Sequence, residues 1–329
     1  MKALVCEKFG PINALNFIEI DTPEPLDNQI QIEVAYASVN FPDALIVQGL
    51  YQVKPSTPFV PGHELAGVVT KIGAKVKSFK LGDRVVATPG IGGFGERVCV
   101  DELKAFHLPS KMSMEQGASL TLTYGTSLHA LQNCANLQKG ETVLILGASG
   151  GVGIAAIEIA KQMGAKVIAA ASTPEKLAFC KKVGADELIN YESENIKDRI
   201  QAITNGNGVN VVYDAVGGKY SEPALRSLAW RGRFLVVGFA AGEIPKIPLN
   251  LALLSERNIM GVYWGDWVRR NPEKHKENME LLSKWFASGN ITPPVNSVYQ
   301  FNQAKEAIIH LASRKATGKV VVEINKDIK

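Results

Sequence analysis

The stretch Val143 to Gly153, V-L-I-L-G-A-S-G-G-V-G, predicts the fold of the chain. Its first four residues, Val143 to Leu146, are apolar and typical of a short buried strand, and a glycine-rich turn and a helical pattern follow. This order is typical of the phosphate-binding corner of a doubly wound dinucleotide fold. Glycines let the backbone approach a pyrophosphate, and the helix N-terminus offers it N–H groups and the positive end of a dipole. We therefore expect Gly150, Gly151 and Val152 to bind cofactor phosphates.

Helix and strand patterns alternate from residue 121 to about residue 256. Lys166 to Ala170 predicts a strand, and Pro174 to Val183 predicts a helix with proline at its first position and Ser172 or Thr173 as its cap. The same rhythm predicts helices at 154–163, 196–204 and 221–228 and strands at 187–189, 209–213 and 233–238. It indicates a parallel sheet with right-handed crossovers.

The residues before this region are rich in short runs of β-formers, separated by proline and glycine. Such runs predict strands at 2–5, 30–37, 66–72 and 84–87. Strands this short, with turns this frequent, favour a barrel-like antiparallel domain. After about residue 257 we expect the chain to return to that domain, with helices at 272–288 and 304–312 and a closing strand at 318–324.

Length, charge and cysteine content narrow the class of protein. A chain of 329 residues is long for one domain, so two are expected. The net charge is only +4 and no basic block is present, which argues against a specific nucleic-acid or membrane surface. The four cysteines are far apart and form no CxxC pair, so neither a disulfide framework nor a thiolate metal lobe is expected. The chain shows no apolar run of signal or membrane-spanning length, so we expect a soluble, cytoplasmic protein.

Short motifs along the whole chain resemble one known family. They are N-F-P-D-A at 40–44, G-L-Y at 49–51, P-G-H-E-L-A-G-V-V at 61–69, L-G-D-R-V at 81–85, G-A-S-G-G-V-G at 147–153, G-A-D at 184–186, I-N-Y at 189–191, Y-D-A-V-G-G at 213–218 and T-G-K-V-V at 317–321. In this order and spacing they resemble the zinc-free branch of the medium-chain dehydrogenase/reductases, the quinone oxidoreductases that include zeta-crystallin. The segment G-V-Y-W-G-D-W at 261–267 resembles a quinone-oxidoreductase-like subgroup within it.

The resemblance implies an α/β protein of two domains with the active site in the cleft between them. A GroES-like, β-rich catalytic domain would comprise residues 1–122 and 257–329. A Rossmann domain with a doubly wound parallel sheet would comprise residues 123–256 and bind NADPH.

The turn at His63 and Glu64 tests whether a zinc ion is expected. In the zinc alcohol dehydrogenases, which resemble this chain in outline, the G-H-E turn supplies one ligand of a catalytic zinc, and cysteines supply others. Here Asn40 and Leu122 stand where those cysteines are expected, and only Cys99 lies in the region of the structural zinc lobe. A catalytic zinc needs three protein ligands and an open position. We therefore expect no metal, a hydrogen-bonded His63, and a Glu64 that anchors a backbone group or an arginine.

The end of the second predicted strand indicates which nicotinamide cofactor binds. An NAD-selective site places an acidic residue there, but this chain has A-A-A-S-T at 169–173. Small residues leave room for a 2′-phosphate, and Lys176 lies one helical turn from Ser172. The resemblance implies that Lys176, Tyr191 and Arg314 surround this phosphate. The sequence therefore favours NADPH.

We expect the nicotinamide ring near Asn40, Tyr51 and Thr126, with Thr126 at the start of a helix. The backbone at Gly238 and Phe239 is expected to hold its carboxamide. The chemistry is hydride transfer, in which the protein supplies position and a dry site. A reduced quinone oxygen is already a stabilised anion, so hydrogen-bond donors aimed at it suffice. Asn40 and Tyr51 are the catalytic candidates, with an aromatic wall as the alternative role of Tyr51.

Other functions and contacts stay open at the level of sequence. The alternatives to a quinone reductase are an NADPH-dependent reductase of activated C=C bonds in enones, alkenals or enoyl thioesters, and a non-catalytic NADPH-binding protein of crystallin-like or RNA-binding type. Asp43 is expected to brace its loop rather than to donate protons. Trp264 and Trp267 fit a cleft wall or a subunit contact. A homodimer is expected, with the apolar run Val236 to Ala241 as a possible edge strand for pairing.

Overall fold

The computed structural model describes residues 1–328 and divides the chain into two units. The first unit comprises Met1–Leu122 together with the chain from Thr292 onward, and the second unit comprises Thr123–Ile291. The first boundary falls where the sequence analysis placed it. The expected return at residue 257 is wrong, because residues 258–261 form a strand of the second unit's sheet.

The N-terminal part of the first unit consists of two long strands, β3 and β4, five short strands and two short helices. Its strands are β1 (Lys2–Val5), β2 (Asn16–Glu19), β3 (Gln29–Val39), β4 (Glu64–Ile72), β5 (Arg84–Ala87), β6 (Arg97–Asp101) and β7 (Ala105–His107), and its helices are α1 (Phe41–Val47) and α2 (Met114–Gly117). Helix α1 has proline in its first turn, where no backbone donor is lost. The carboxylate of Asp43 accepts the backbone N–H of Asn40 at 2.7 Å and so caps this helix.

The second unit alternates strands and helices. In chain order its elements are α3 (Thr121–Leu128), which contains the boundary between the units, β8 (Thr142–Leu146), α4 (Gly151–Gln162), β9 (Lys166–Ala171), α5 (Pro174–Val183), β10 (Glu187–Asn190), α6 (Ile196–Ile203), β11 (Val209–Asp214), α7 (Ser221–Arg226), β12 (Leu228–Val236), α8 (Asn250–Leu253), β13 (Asn258–Gly261), α9 (Trp264–Arg270) and α10 (Pro272–Ala287). A π-helical segment, His129–Cys134, continues α3. Thr126 therefore lies inside α3 and not at its start.

The C-terminal segment completes the first unit with β14 (Val295–Gln300), α11 (Ala304–Ala312) and β15 (Lys319–Glu323). The larger sheet of this unit has the strand order β14-β15-β3-β4-β5-β7, and β6 also pairs with β3. All of its pairs are antiparallel except β14 with β15. A core that includes Phe94, Ile32 and Val320 packs against this sheet.

The sheet of the second unit is parallel throughout, with the order β10-β9-β8-β11-β12-β13. In chain order this is the doubly wound arrangement 3-2-1-4-5-6. Its central strands are buried on both faces, which explains why V-L-I-L and V-I-A-A-A show apolar runs instead of alternation.

Strand β12 differs most from its expected bounds. It begins at Leu228 and ends at Val236, whereas the sequence suggested 233–238. The exposed residues Trp230 and Arg231 interrupt its apolar pattern, and Arg231 has a φ of 57°, so its first half does not resemble a strand. The run Val236 to Ala241 is consequently not an edge strand. Strand β13 occupies that edge, beside β12.

The glycine-rich turn brings helix α4 against the end of β8. Gly147 has a φ of 69°, which glycine adopts without strain, and Gly150 is the N-cap of α4. A Cβ on Gly153 would lie 2.4 Å from the carbonyl oxygen of Gly147 and 2.6 Å from the Cα of Ala148. Because both neighbours are backbone atoms, no side-chain rotation relieves this contact.

Gly153→Ala is expected to destabilise the protein by about 1–3 kcal/mol, the usual cost of overpacking. Gly150→Ala is the matched control, because a Cβ there would meet its nearest neighbour at 3.5 Å and Gly150 has an extended backbone. Urea unfolding of both variants measures the difference. Equal stability of the two variants would contradict the close approach of α4 to β8.

Candidate functional site

The carboxyl ends of three neighbouring strands carry the residues expected to bind cofactor phosphates. The first i→i−4 bond of α4 is Ile154 N–H to Gly150 O, so the N–H groups of Gly151, Val152 and Gly153 precede it. These groups follow β8, which lies between β9 and β11 in the sheet. The geometry is that of a helix N-terminal anion site.

Ser172 and Lys176 lie directly after β9. The Nζ of Lys176 donates to Ser172 Oγ at 3.2 Å, and burial lowers the pKa of this half-buried lysine. Thr173, not Ser172, caps α5, since its hydroxyl accepts the N–H of Lys176. Small residues, Ala169 to Ala171, form the end of the strand, and the acidic residue that follows, Glu175, lies in the first turn of α5, where its carboxylate bonds to Thr173.

Tyr191 follows β10, the neighbour of β9 in the sheet. Its backbone N–H donates to Ala171 O at 3.2 Å, which holds it beside the end of β9. Its ring lies 4.4 Å from that of Tyr220, centroid to centroid. The second unit therefore brings together four expected groups: the glycine turn, Ser172, Lys176 and Tyr191.

The loops after β11 and β12 are both held by Asp214, a buried residue at the end of β11. Asp214 accepts the backbone N–H groups of Val216 and Gly217 at 2.8 and 2.9 Å and the hydroxyl of Ser221 at 2.6 Å. Burial raises the pKa of Asp214, and these donors oppose that rise. The carbonyl of Asp214 also accepts the N–H of Gly238 at 3.2 Å. Asp214 thus fixes the segment that contains Gly238 and Phe239.

Helix α3 is tied to the glycine-rich turn one residue after Thr126. Ser127 Oγ donates to Val152 O at 2.8 Å and lies 3.0 Å from the hydroxyl of Tyr213. On the same helix Gly125 faces the indole of Trp264, and a Cβ at Gly125 would lie 2.8 Å from that ring. These contacts fix the position of Thr126 relative to the phosphate-binding turn.

The first unit contains a buried polar cluster around Glu64. Its Oε1 accepts the hydroxyl of Thr121 at 2.9 Å and the N–H of Leu122 at 2.7 Å. Its Oε2 accepts Ser38 Oγ at 2.5 Å, and it pairs with Lys319 Nζ at 3.1 Å. Glu64 is fully buried and Lys319 is 3% exposed. Glu64 therefore anchors a backbone group, as expected, but its cation is a lysine and not an arginine.

Asn40 belongs to the same cluster. Its Oδ1 accepts Lys319 Nζ at 2.7 Å, and its Nδ2 donates to Ser38 Oγ at 3.0 Å and Glu64 Oε2 at 3.2 Å. These contacts use both hydrogens of the amide. In the sequence Lys319 belongs to the motif T-G-K-V-V, and no local pattern links it to Asn40.

His63 pairs with Asp43, which is fully buried. The Nδ1 of His63 lies 2.6 Å from Asp43 Oδ1, and the ring of Tyr51 packs edge-on to the imidazole at 5.8 Å between centroids. Asp43 thus braces its loop, as expected, and also orients a histidine.

Arg314 is exposed, has a φ of 61°, and belongs to the first unit, whereas Lys176 and Tyr191 belong to the second. A phosphate site formed by these three residues together stays a prediction.

The residues at the G-H-E turn do not suit a metal ion. Asp43 holds only Nδ1 of His63, but five donors surround the carboxylate of Glu64, and Asn40 and Leu122 stand where a catalytic zinc would need further ligands. Within residues 1–328, no group of three or more His, Cys, Asp and Glu side chains has a metal-binding arrangement.

In the same part of the chain, no helix is long and apolar enough to cross a membrane.

The fold and these sites define a two-domain, nucleotide-binding oxidoreductase, and comparisons with known proteins agree. The model of the alcohol dehydrogenase GroES-like domain matches residues 26–110, and the model of the zinc-binding dehydrogenases matches residues 151–284. The bovine quinone oxidoreductase-like protein 2 is 38% identical over 309 residues, which cover 93% of this chain and 88% of that protein. The chain therefore belongs to the quinone oxidoreductase family of the medium-chain dehydrogenase/reductases.

Two solved structures show the same fold over nearly the whole chain. The Escherichia coli quinone oxidoreductase complexed with NADPH has a TM-score of 0.93 at 31% identity, and the match covers 98% of this chain and 100% of that one. CurK enoyl reductase has a TM-score of 0.89 at 27% identity, with 98% and 99% covered. The α/β architecture of a GroES-like and a Rossmann domain is thereby confirmed.

Lys319→Met is expected to destabilise the protein by about 3–5 kcal/mol, because it leaves the Glu64 carboxylate buried without its cation. The double variant Glu64→Gln with Lys319→Met is expected to regain part of this loss, since no charge then stays buried. Lys315→Met, at an exposed position, is the control. Urea unfolding measures all three, and a Lys319→Met variant within 1 kcal/mol of the wild type would contradict the role of the pair.

Proposed function

We propose that the protein is an NADPH-dependent oxidoreductase that transfers hydride to a quinone without zinc. The Ser172–Lys176 pair at the end of β9 carries this proposal. A half-buried ammonium there, beside small residues and with no acidic residue at the end of the strand itself, suits a 2′-phosphate. The NADPH complex of the E. coli relative supports the same choice.

The residues of the second unit fit NADPH. The tight approach at Gly153 leaves the N–H groups of Gly151 and Val152, at the start of α4, to the pyrophosphate. The N–H of Gly150 donates to Gly147 O at 3.1 Å, so Gly150 would contribute only its lack of a side chain. Ser172, Lys176 and Tyr191 would hold the 2′-phosphate, and Arg314 would join them. Thr126 and the backbone of Gly238 and Phe239 would hold the nicotinamide. When bound, NADPH supplies the hydride.

The first unit would hold the acceptor. Tyr51 packs partly against the apolar core of this unit and partly against His63, so it suits the wall of an aromatic acceptor pocket. Asn40 uses its amide hydrogens inside the cluster of Glu64, so we assign it a positioning role rather than that of a donor. Zinc is not part of this proposal, because five donors of the protein surround Glu64 and positions 40 and 122 carry Asn and Leu instead of metal ligands.

A second candidate is a reductase of activated C=C bonds, in enones, alkenals or enoyl thioesters. The likeness to CurK enoyl reductase favours it. Both candidate reactions would use the same position of the nicotinamide for hydride transfer, and they differ only in the molecule that accepts the hydride.

We also propose a homodimer that forms through the edge strand β13 in place of the run first expected. Strand β13 pairs with β12 on one side only, and Ile259 on it is 43% exposed. Leu249 and Leu253, which precede it, are 81% and 78% exposed. Antiparallel pairing of two such edges would satisfy their backbone groups and cover these side chains.

The wild type is expected to prefer NADPH to NADH in kcat/KM. Lys176→Glu is expected to lower this preference about 10- to 100-fold, because a charged hydrogen bond to phosphate contributes about 1.5–3 kcal/mol. Lys182→Glu, at an exposed position of the same helix, is the control and is expected to keep it. A wild type that prefers NADH would refute the proposal.

The acceptor is tested by NADPH oxidation with 1,4-naphthoquinone, a crotonyl thioester and a 2-alkenal in parallel. The quinone is expected to give a kcat/KM at least about tenfold above the others, since its reduced oxygen is a stabilised anion. A thioester or alkenal that reacts faster would move the function to the second candidate. Binding of NADPH without turnover of any acceptor would leave only a non-catalytic role.

A further inference from the structure

The pair formed by His63 and Asp43 uses only one of the two ring nitrogens of the histidine. Asp43 is fully buried, and its two oxygens accept the N–H of Asn40 at 2.7 Å and face His63 Nδ1 at 2.6 Å. Because a carboxylate oxygen only accepts, Nδ1 carries the hydrogen of this bond. The other ring nitrogen, Nε2, therefore has the lone pair of the neutral imidazole or the second hydrogen of the imidazolium.

Nε2 is in contact with solvent and has no protein partner. Within residues 1–328, no group hydrogen-bonds to it, and it is not among the buried polar atoms that lack a partner. The side chain of His63 is 11% exposed. The backbone N–H of Asn40 holds one oxygen of the Asp43 carboxylate, and the other oxygen binds Nδ1 of His63. The ring is therefore held in one orientation, with Nε2 outward.

The polar groups of the neighbouring Glu64 cluster are already engaged in hydrogen bonds with one another. Asn40 and Lys319 donate within the cluster, and both oxygens of Glu64 accept there. The ring of Tyr51 packs edge-on to the imidazole and restricts its rotation. A histidine that a buried carboxylate orients through Nδ1, with Nε2 open, has the geometry of a general acid or base.

We propose that His63, oriented by Asp43, is the proton donor to the acceptor during reduction. The inference rests on the proposed function. When bound, NADPH would supply a hydride to one quinone oxygen and leave as NADP⁺, and the electron pair of that C=O bond would move through the ring to the second oxygen. That oxygen takes the proton from Nε2 of His63, so the products are the hydroquinone and NADP⁺. Neutral His63 then regains a proton from water. Asp43 is a positioning residue, which accepts the Nδ1 hydrogen and so holds the ring in its orientation.

The experiment compares His63→Gln and Asp43→Asn with the wild type. Loss of general acid catalysis is expected to lower kcat about 10²-fold or more in both, with the dissociation constant of NADPH unchanged within about twofold. The solvent deuterium isotope effect on the single-turnover rate is expected to change in both variants. His107→Gln is the matched control, because His107 also lies near an aspartate, Asp83 at 3.9 Å, but is exposed. It is expected to keep full activity.

A readout that needs no turnover is the ¹⁵N spectrum of histidine-labelled protein. His63 is expected to show a protonated Nδ1 in the wild type and a changed Nδ1 signal in Asp43→Asn. An Nδ1 without hydrogen, or a His63→Gln variant with kcat within twofold of an active wild type, would overturn the proton donor alone. A wild type that reduces no acceptor would overturn the proposed function and the proton donor together.

Discussion

The contact between helix α4 and the end of β8 is the constraint on which the nucleotide-binding unit depends. Only a residue without Cβ fits at 153, because the carbonyl of Gly147 would lie 2.4 Å from a Cβ there. This approach sets the first N–H groups of α4 at the carboxyl end of the sheet. The hydroxyl of Ser127 on α3 donates to Val152 O and so binds α3 to the same turn. One backbone contact thus sets the positions of the helix N-terminus expected to bind phosphate and of the helix that carries Thr126.

A different interaction organises the first unit. Glu64 is buried, and lysine, amide, hydroxyl and backbone donors surround it. This arrangement satisfies a charge that would otherwise be very costly to bury. His63, on the same turn, pairs instead with Asp43. Within this turn the carboxylate of Glu64 is therefore engaged entirely by groups of the protein, whereas His63 is held through Nδ1 alone.

Much of the second unit is predictable from sequence because its signals are local. The helix Pro174–Val183 has the bounds expected from its proline and its periodicity, and the glycine-rich turn lies where it was expected. Strand β13 was missed, since four residues, N-I-M-G, carry no periodic pattern. Lys319 was missed as the partner of Glu64, since 255 positions separate them in the chain. Ion pairs between distant segments become visible only when the sheet brings β4, β3 and β15 together.

The most direct measurement of the central claim is a crystal structure of the protein with NADPH. The account predicts the 2′-phosphate within about 3.2 Å, hydrogen-bonding distance, of Lys176 Nζ and Ser172 Oγ, with the pyrophosphate on the N–H groups of Gly151 and Val152. A phosphate bound away from Lys176, or a pyrophosphate that does not meet the start of α4, would contradict it.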